Sequence, residues 1–166
     1  LIEGLAIDRK NNQVLICGLA GSIPSTDASV YKSTDGGATW QPLLNGPMGV
    51  AAYTCLIDEN NSNTYLVGTQ NGLWVSYDAG QTWQHEVSEL CQIPVFRLRQ
   101  TPLLVDECPV VYAATSRGLW RSFSLTPNGC NTSVGITPIT TEGTDFVVYP
   151  NPTAGQLHLK SIMQNA

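Results

Sequence analysis

Charge is scarce in this sequence: only 13% of its 166 residues are Asp, Glu, Lys or Arg, about half the usual share for a soluble domain. What charge there is leans acidic, 13 carboxylates against 8 Lys and Arg, for a formal net charge of −5. That argues against a protein that tracks nucleic-acid phosphates, whose affinity comes from clustered Lys and Arg. No apolar run reaches the roughly 20 residues that span a bilayer as a helix, so a membrane-spanning chain is not expected. Histidine occurs twice, at His85 and His158, and no Cys pair has metal-ligand spacing, which argues against a zinc site. Gly-rich phosphate loops, nucleophile elbows and calcium loops are absent, and no cofactor or metal is expected. No segment carries a 3.6-residue apolar period, which makes the chain all-β. At Leu1 there is no initiating Met, basic n-region or apolar h-region, and the chain is expected to be the mature or excised part of something longer.

What is present is a repeat. Ser33-Thr34-Asp35-Gly36-Gly37-Ala38-Thr39-Trp40 matches Ser76-Tyr77-Asp78-Ala79-Gly80-Gln81-Thr82-Trp83 at a spacing of 43 residues, the range of four-stranded propeller blades. Leu5-Ala6-Ile7-Asp8 aligns with Cys55-Leu56-Ile57-Asp58, and Asn71-Gly72-Leu73-Trp74-Val75-Ser76 with Arg117-Gly118-Leu119-Trp120-Arg121-Ser122. Three units follow one plan. Runs rich in β-branched and aromatic residues, bounded by Asn, Gly and Pro, predict strands A (2–8, 50–58, 96–103), B (14–19, 64–69, 110–115), C (29–34, 72–77, 118–123) and D (39–44, 82–87). The predicted organisation is three antiparallel blades over 1–130 (about 1–45, 46–91 and 92–130), a Thr/Gly/Pro linker over 131–144, and a separate segment over 145–166.

The pattern S-x-D-x-G-x-T-W resembles the Asp-box (BNR repeat) of sialidases, sortilin-type receptors and two-propeller xyloglucan-degrading glycoside hydrolases. The resemblance implies a β-propeller, with the box forming the turn between strands C and D. The residue types suit such a turn. Asp35 and Asp78 can accept hydrogen bonds from their own loop, with Ser33, Ser76, Thr39 and Thr82 around them. Gly37 and Gly80 supply a conformation closed to other residues, and Trp40 and Trp83 bury a ring tethered by its indole N–H. A structural role is therefore expected for Asp35 and Asp78, ahead of a catalytic one.

The third unit has lost the box, with Ser124, Thr126 and Gly129 in place of Asp, Gly and Trp. Because A–B and C–D turns share one end of an up-and-down blade, Cys108 and Cys130 are expected to form a disulfide there. Cys17 and Cys55 fall inside strand patterns and are expected to be small buried apolar residues. With five cysteines, at least one is left over.

After the Thr-rich stretch, residues 146–159 read as a strand, a tight Pro-Asn-Pro turn and a second strand. This stretch resembles the start of the C-terminal sorting domain of the type IX secretion system of Bacteroidetes, at Tyr149, Pro150, Asn151, Pro152, Gly155 and Leu157. The resemblance implies export to the outside of the cell or the outer-membrane surface, with the secretion machinery as a partner.

Candidate chemistry is sparse. His85 reads as a surface residue. A glycoside hydrolase needs two carboxylates at a defined separation, and Asp27, Glu86 and Glu89 are the candidates. Asp27 lies in a seven-residue insertion around 21–27, on the side where a rigid scaffold carries recognition loops. Arg97 and Arg99 alternate along strand A of the third unit and are expected to face the channel together, too few for a sialidase arginine cluster. Fold alone does not establish an enzyme. The leading reading is a secreted or surface β-propeller that binds or scaffolds, its partners a glycan or surface protein and the remaining blades. The alternatives are a C-terminal fragment of a secreted glycoside hydrolase, or secretion cargo captured with the export machinery.

Overall fold

The computed structural model describes residues 1–86, 90–105, 108–123, 137–138, 146–149 and 158–161, with side chains described for 1–86, 90–101 and 110–121. The described elements are all β. The first sheet is β1 (Ile2–Ile7), β2 (Leu15–Leu19), β3 (Val30–Ser33) and β4 (Gln41–Pro42). The second is β5 (Ala52–Ile57), β6 (Tyr65–Thr69), β7 (Gly72–Ser76) and β8 (Gln84–His85). The third is β9 (Val95–Val105), β10 (Cys108–Thr115), β11 (Gly118–Phe123) and β12 (Thr137–Pro138). Each is a meander in which consecutive strands pair antiparallel. Among the described residues the three sheets do not close a ring.

The predicted A, B and C strands correspond to observed ones, but the fourth strands are shorter than expected. Thr39 and Thr82 commit their N–H groups to the preceding turn, so pairing begins only at Gln41 and Gln84. In the third sheet the fourth strand comes from Thr137–Pro138, inside the stretch expected to be linker, where Arg121 pairs with Thr137. Farther on, β13 (Phe146–Tyr149) pairs antiparallel with β14 (His158–Ser161). Pro150, Asn151, Pro152, Gly155 and Leu157 lie outside the described residues.

Directly paired residues share a sheet face, so the register assigns every position to one of two faces. Cys55, Ile57, Tyr65 and Val67 on one face of the second sheet pack with Ile16 and Val30 of the first. Leu56, Leu66 and Val75 on its other face pack with Leu98, Ala113 and Trp120 of the third. Each such fully buried side chain contributes about 1.5–3 kcal/mol. The approach is close where small residues face the next sheet. A Cβ at Gly4 would lie 2.9 Å from the Cys55 nitrogen, and one at Gly18 would lie 2.8 Å from the Ala52 carbonyl oxygen.

Candidate functional site

The two Ser-x-Asp turns are closed hydrogen-bond cages. Asp35 accepts from Ser33 Oγ at 2.7 Å, from the Thr39 N–H at 2.9 Å and from Thr39 Oγ1 at 2.6 Å. Asp78 repeats this with Ser76, the Thr82 N–H and Thr82 Oγ1 at 2.8, 2.8 and 2.6 Å. The threonine hydroxyl, then the threonine N–H, hold each carboxyl down to about 2 from an ordinary 3.8. Gly37 and Gly80 adopt φ of 93° and 90°, and Trp40 and Trp83 each donate an indole N–H to that glycine's carbonyl at 3.1 Å. Carboxylates so fully engaged hold the turn together and are poor proton donors at neutral pH. The two rings differ in burial. Trp83 packs on Gly46, in the connection between β4 and β5, and on Tyr65, whereas Trp40 is exposed, because no sheet precedes the first among the described residues.

Two further carboxylates, aligned in the repeat but given no role from sequence, tie neighbouring sheets. Buried Asp8 accepts from the Lys10 N–H and, across the interface, from Ser62 Oγ at 2.9 Å. Buried Asp58 accepts from the Asn60 N–H and from Gln100 Nε2 at 3.1 Å. Lys32 adds a third tie, donating to the Ala79 carbonyl at 3.0 Å above the Tyr65 ring. Burial lowers the pKa of Lys32 and pushes Tyr65 up to about 12.

Of the expected hydrolase carboxylates, Asp27 and Glu86 fall among the described residues. Asp27 is exposed on its loop, with Thr26 Oγ1 donating to it at 3.1 Å. Glu86 is half-buried beyond β8, its N–H donating to the Leu73 carbonyl, and Glu89 lies outside the described residues. His85 is half-buried, its ring stacked on Trp74 at 4.8 Å with Nε2 2.8 Å from the Asn71 carbonyl oxygen. Cys17 and Cys55 are buried free thiols, and burial pushes both up. No disulfide occurs among the described residues; Cys108 begins β10, and Cys130 lies outside them. No group of three or more metal-ligating side chains occurs among the described residues.

One feature of the inner strands escaped the sequence reading. All three carry a one-residue bulge at the same repeat position, at Glu3, Tyr53 and Phe96, where the register of β1, β5 and β9 shifts. Each is clamped by equivalent bonds, from the N–H of Ala20, Gln70 and Ser116 to the carbonyls of Leu1, Ala51 and Pro94. Bulges re-aim side chains and recur beside active sites. Here they set a row Glu3, Tyr53, Phe96 at the ends of the inner strands farthest from the Ser-x-Asp turns. The Tyr53 and Phe96 rings lie 5.6 Å apart at 38°, and Phe96 is 44% exposed. The insertion around 21–27 lies at this end too, held by hydrogen bonds from Gly49 N–H to Asp27 and from Ser29 N–H to Pro47. The sequence signal was weak: a break in alternation opposite the small residues Gly18, Gly68 and Ala114.

No protein-family model and no curated protein matches this sequence. Solved structures do resemble it. A GH74 xyloglucanase from Xanthomonas campestris superposes with a TM-score of 0.54 at 20% identity, over 72% of this chain and 20% of that one. A GH74 enzyme from Niastella koreensis gives 0.55 at 24%, over 76% and 21%. YCF48 from Cyanidioschyzon merolae gives 0.51 at 13%, over 82% and 36%. The chain spans about one fifth of the length of the two GH74 proteins. At these identities the likeness is one of fold: three antiparallel sheets stacked as they are in β-propellers.

Proposed function

We propose that this chain belongs to an exported β-propeller that binds a glycan at the bulged ends of its inner strands. The single observation that carries the reading is the Tyr53–Phe96 ring pair, half-buried at Tyr53, exposed at Phe96 and set by repeated bulges, since an aromatic face of this kind stacks well on the apolar face of a sugar ring. The Ser-x-Asp cages fit Asp-box turns, which the motif suggests, and would brace the opposite end. The Tyr149-Pro150-Asn151-Pro152 stretch supports export through type IX secretion to the cell surface or medium, with that machinery as a partner. Further blades are partners too. Leu5 and Ile7 are 57% and 51% exposed, while their equivalents Cys55 and Ile57, covered by the first sheet, are each 6% exposed; another apolar sheet fits that face.

The likeness to GH74 folds favours a second reading, hydrolysis of the bound glycan, with Glu3 the carboxylate at the matching bulge of the first inner strand. Calorimetric titration with β-glucan oligosaccharides tests binding. Phe96→Ala is expected to weaken it about tenfold, the ~1.4 kcal/mol that such an aromatic contact supplies, and unchanged affinity would remove the site. Product release abolished by Glu3→Gln would establish the hydrolase instead.

A further inference from the structure

The three sheets can be compared position by position on the face each turns toward the next. The inner-strand series Gly4, Thr54, Arg97 and Ala6, Leu56, Arg99 ends in arginine. The second-strand series Ile16, Leu66, Tyr112 and Gly18, Gly68, Ala114 ends in a phenol and in loss of the glycine. In the first two sheets these positions are buried against a neighbour, Ala6 partly and the others fully. In the third, Arg97, Arg99 and Leu119 are exposed. A guanidinium cannot sit where Gly4 leaves 2.9 Å to the next backbone, and covering two arginines with an apolar sheet would strand their charge. This face is not built to receive a blade of the kind that covers the other two.

It is built to receive anions. Register places Arg99, Tyr112 and Arg121 in one row across β9, β10 and β11, with Arg97 beside them in the next row. Four of the eight basic residues of this acidic chain lie between 97 and 121. The described bond of Arg99 is to the Leu98 carbonyl, and no carboxylate among the described residues pairs with any of these arginines. At the equivalent of Arg121 in the first sheet, Lys32 is consumed by the Ala79 carbonyl of the neighbouring turn; no such turn faces Arg121 among the described residues.

We propose that this face of the third sheet binds a carboxylated polysaccharide, a polyuronate. Guanidinium forks pair bidentately with carboxylates, and the Tyr112 ring between Arg99 and Arg121 offers a surface on which a pyranose ring stacks. Neighbouring strands lie about 4.8 Å apart, so the row presents cation, ring, cation at intervals close to the repeat of a sugar chain. The surface is separate from the Tyr53–Phe96 row, and neither depends on the other.

The test is titration of the whole chain with polygalacturonate, neutral dextran and poly-L-glutamate at low and high salt. Binding to polygalacturonate is expected to weaken with salt, as exposed charge pairs do, and dextran is not expected to bind. Arg97→Gln/Arg99→Gln should lower the affinity at least about tenfold, whereas Arg9→Gln/Lys10→Gln, which removes the same charge elsewhere, should leave it intact. Arg97→Lys/Arg99→Lys keeps the charge without the fork and should fall between them. Tyr112→Leu should weaken polygalacturonate alone. Absence of polygalacturonate binding, survival of binding in the double glutamine variant, or equal affinity for poly-L-glutamate would each overturn the proposal, the last by showing a surface that fits acidic protein.

Discussion

Replacing Gly68 by alanine tests the stacking of the sheets directly. Gly68 sits in the middle of β6 and its φ is not in the left-handed region, so its backbone accepts alanine. On local grounds the change should stabilise by about 0.4–1 kcal/mol, through a less flexible unfolded chain. The structure predicts the reverse. The added methyl would lie 2.6 Å from Thr54 Cγ2, 2.7 Å from Val95 Cγ1 and 2.7 Å from the Val95 carbonyl oxygen. The two side-chain tips can turn, but the carbonyl belongs to the backbone of the third sheet. Overpacking of this kind costs about 1–3 kcal/mol, leaving a net loss centred on about 1.3 kcal/mol and a fall in Tm of about 3–5 °C for a chain of this size. Thermal melts followed by tryptophan fluorescence measure it. Ala114→Gly, the equivalent position on the arginine-bearing face, should cost no more than about 1 kcal/mol, the ordinary penalty of a strand glycine. A Gly68→Ala protein as stable as the parent would refute the claim that the second and third sheets meet at backbone contact.

Ala79 holds φ at 59° where the matching turn has Gly36 at 73°. Ala79→Gly should therefore raise stability by about 1 kcal/mol, and Gly36→Ala should lower it comparably, both read from urea midpoints. Acid offers a second check. Asp35 and Asp78 titrate near 2 in the fold against an ordinary 3.8, so the stability they supply is complete above about pH 4 and is lost as pH falls toward 2. Thr39→Val/Thr82→Val removes the largest cause of both shifts and should flatten that acid limb in pH-dependent unfolding.

Local chemistry was legible in the sequence; departures from the repeat were less so. Alternation and turn residues placed β1 to β3 and β5 to β7 closely, because each run contains its own strand and punctuation. The motif located both carboxylate cages for the same reason, since every partner of Asp35 lies within four residues. The strand Thr137–Pro138 pairs with a segment 16 residues away and carries no copy of the motif, so nothing in its composition announced it. The stacking of His85 on Trp74 was not legible, because it is set by cross-strand register. Arg97 and Arg99 were recognised as sharing a face, but that this face also carries Tyr112 became visible only from the register of β9 with β10. The bulges left a single extra residue per strand, visible only once two strands were paired.

The second sheet is covered on both faces, by Ile16 and Val30 on one side and by Leu98, Ala113 and Trp120 on the other. Among the described residues the principal contacts between sheets join adjacent ones, as in a one-dimensional stack whose units support only their neighbours. Such a stack loosens from its ends. In these 166 residues taken by themselves, the amides of β5 to β7 should be the last to exchange with solvent and those of β1 among the first. A further blade seated on Leu5 and Ile7 would slow that exchange in β1, so the middle unit is the keel only of this stretch of chain.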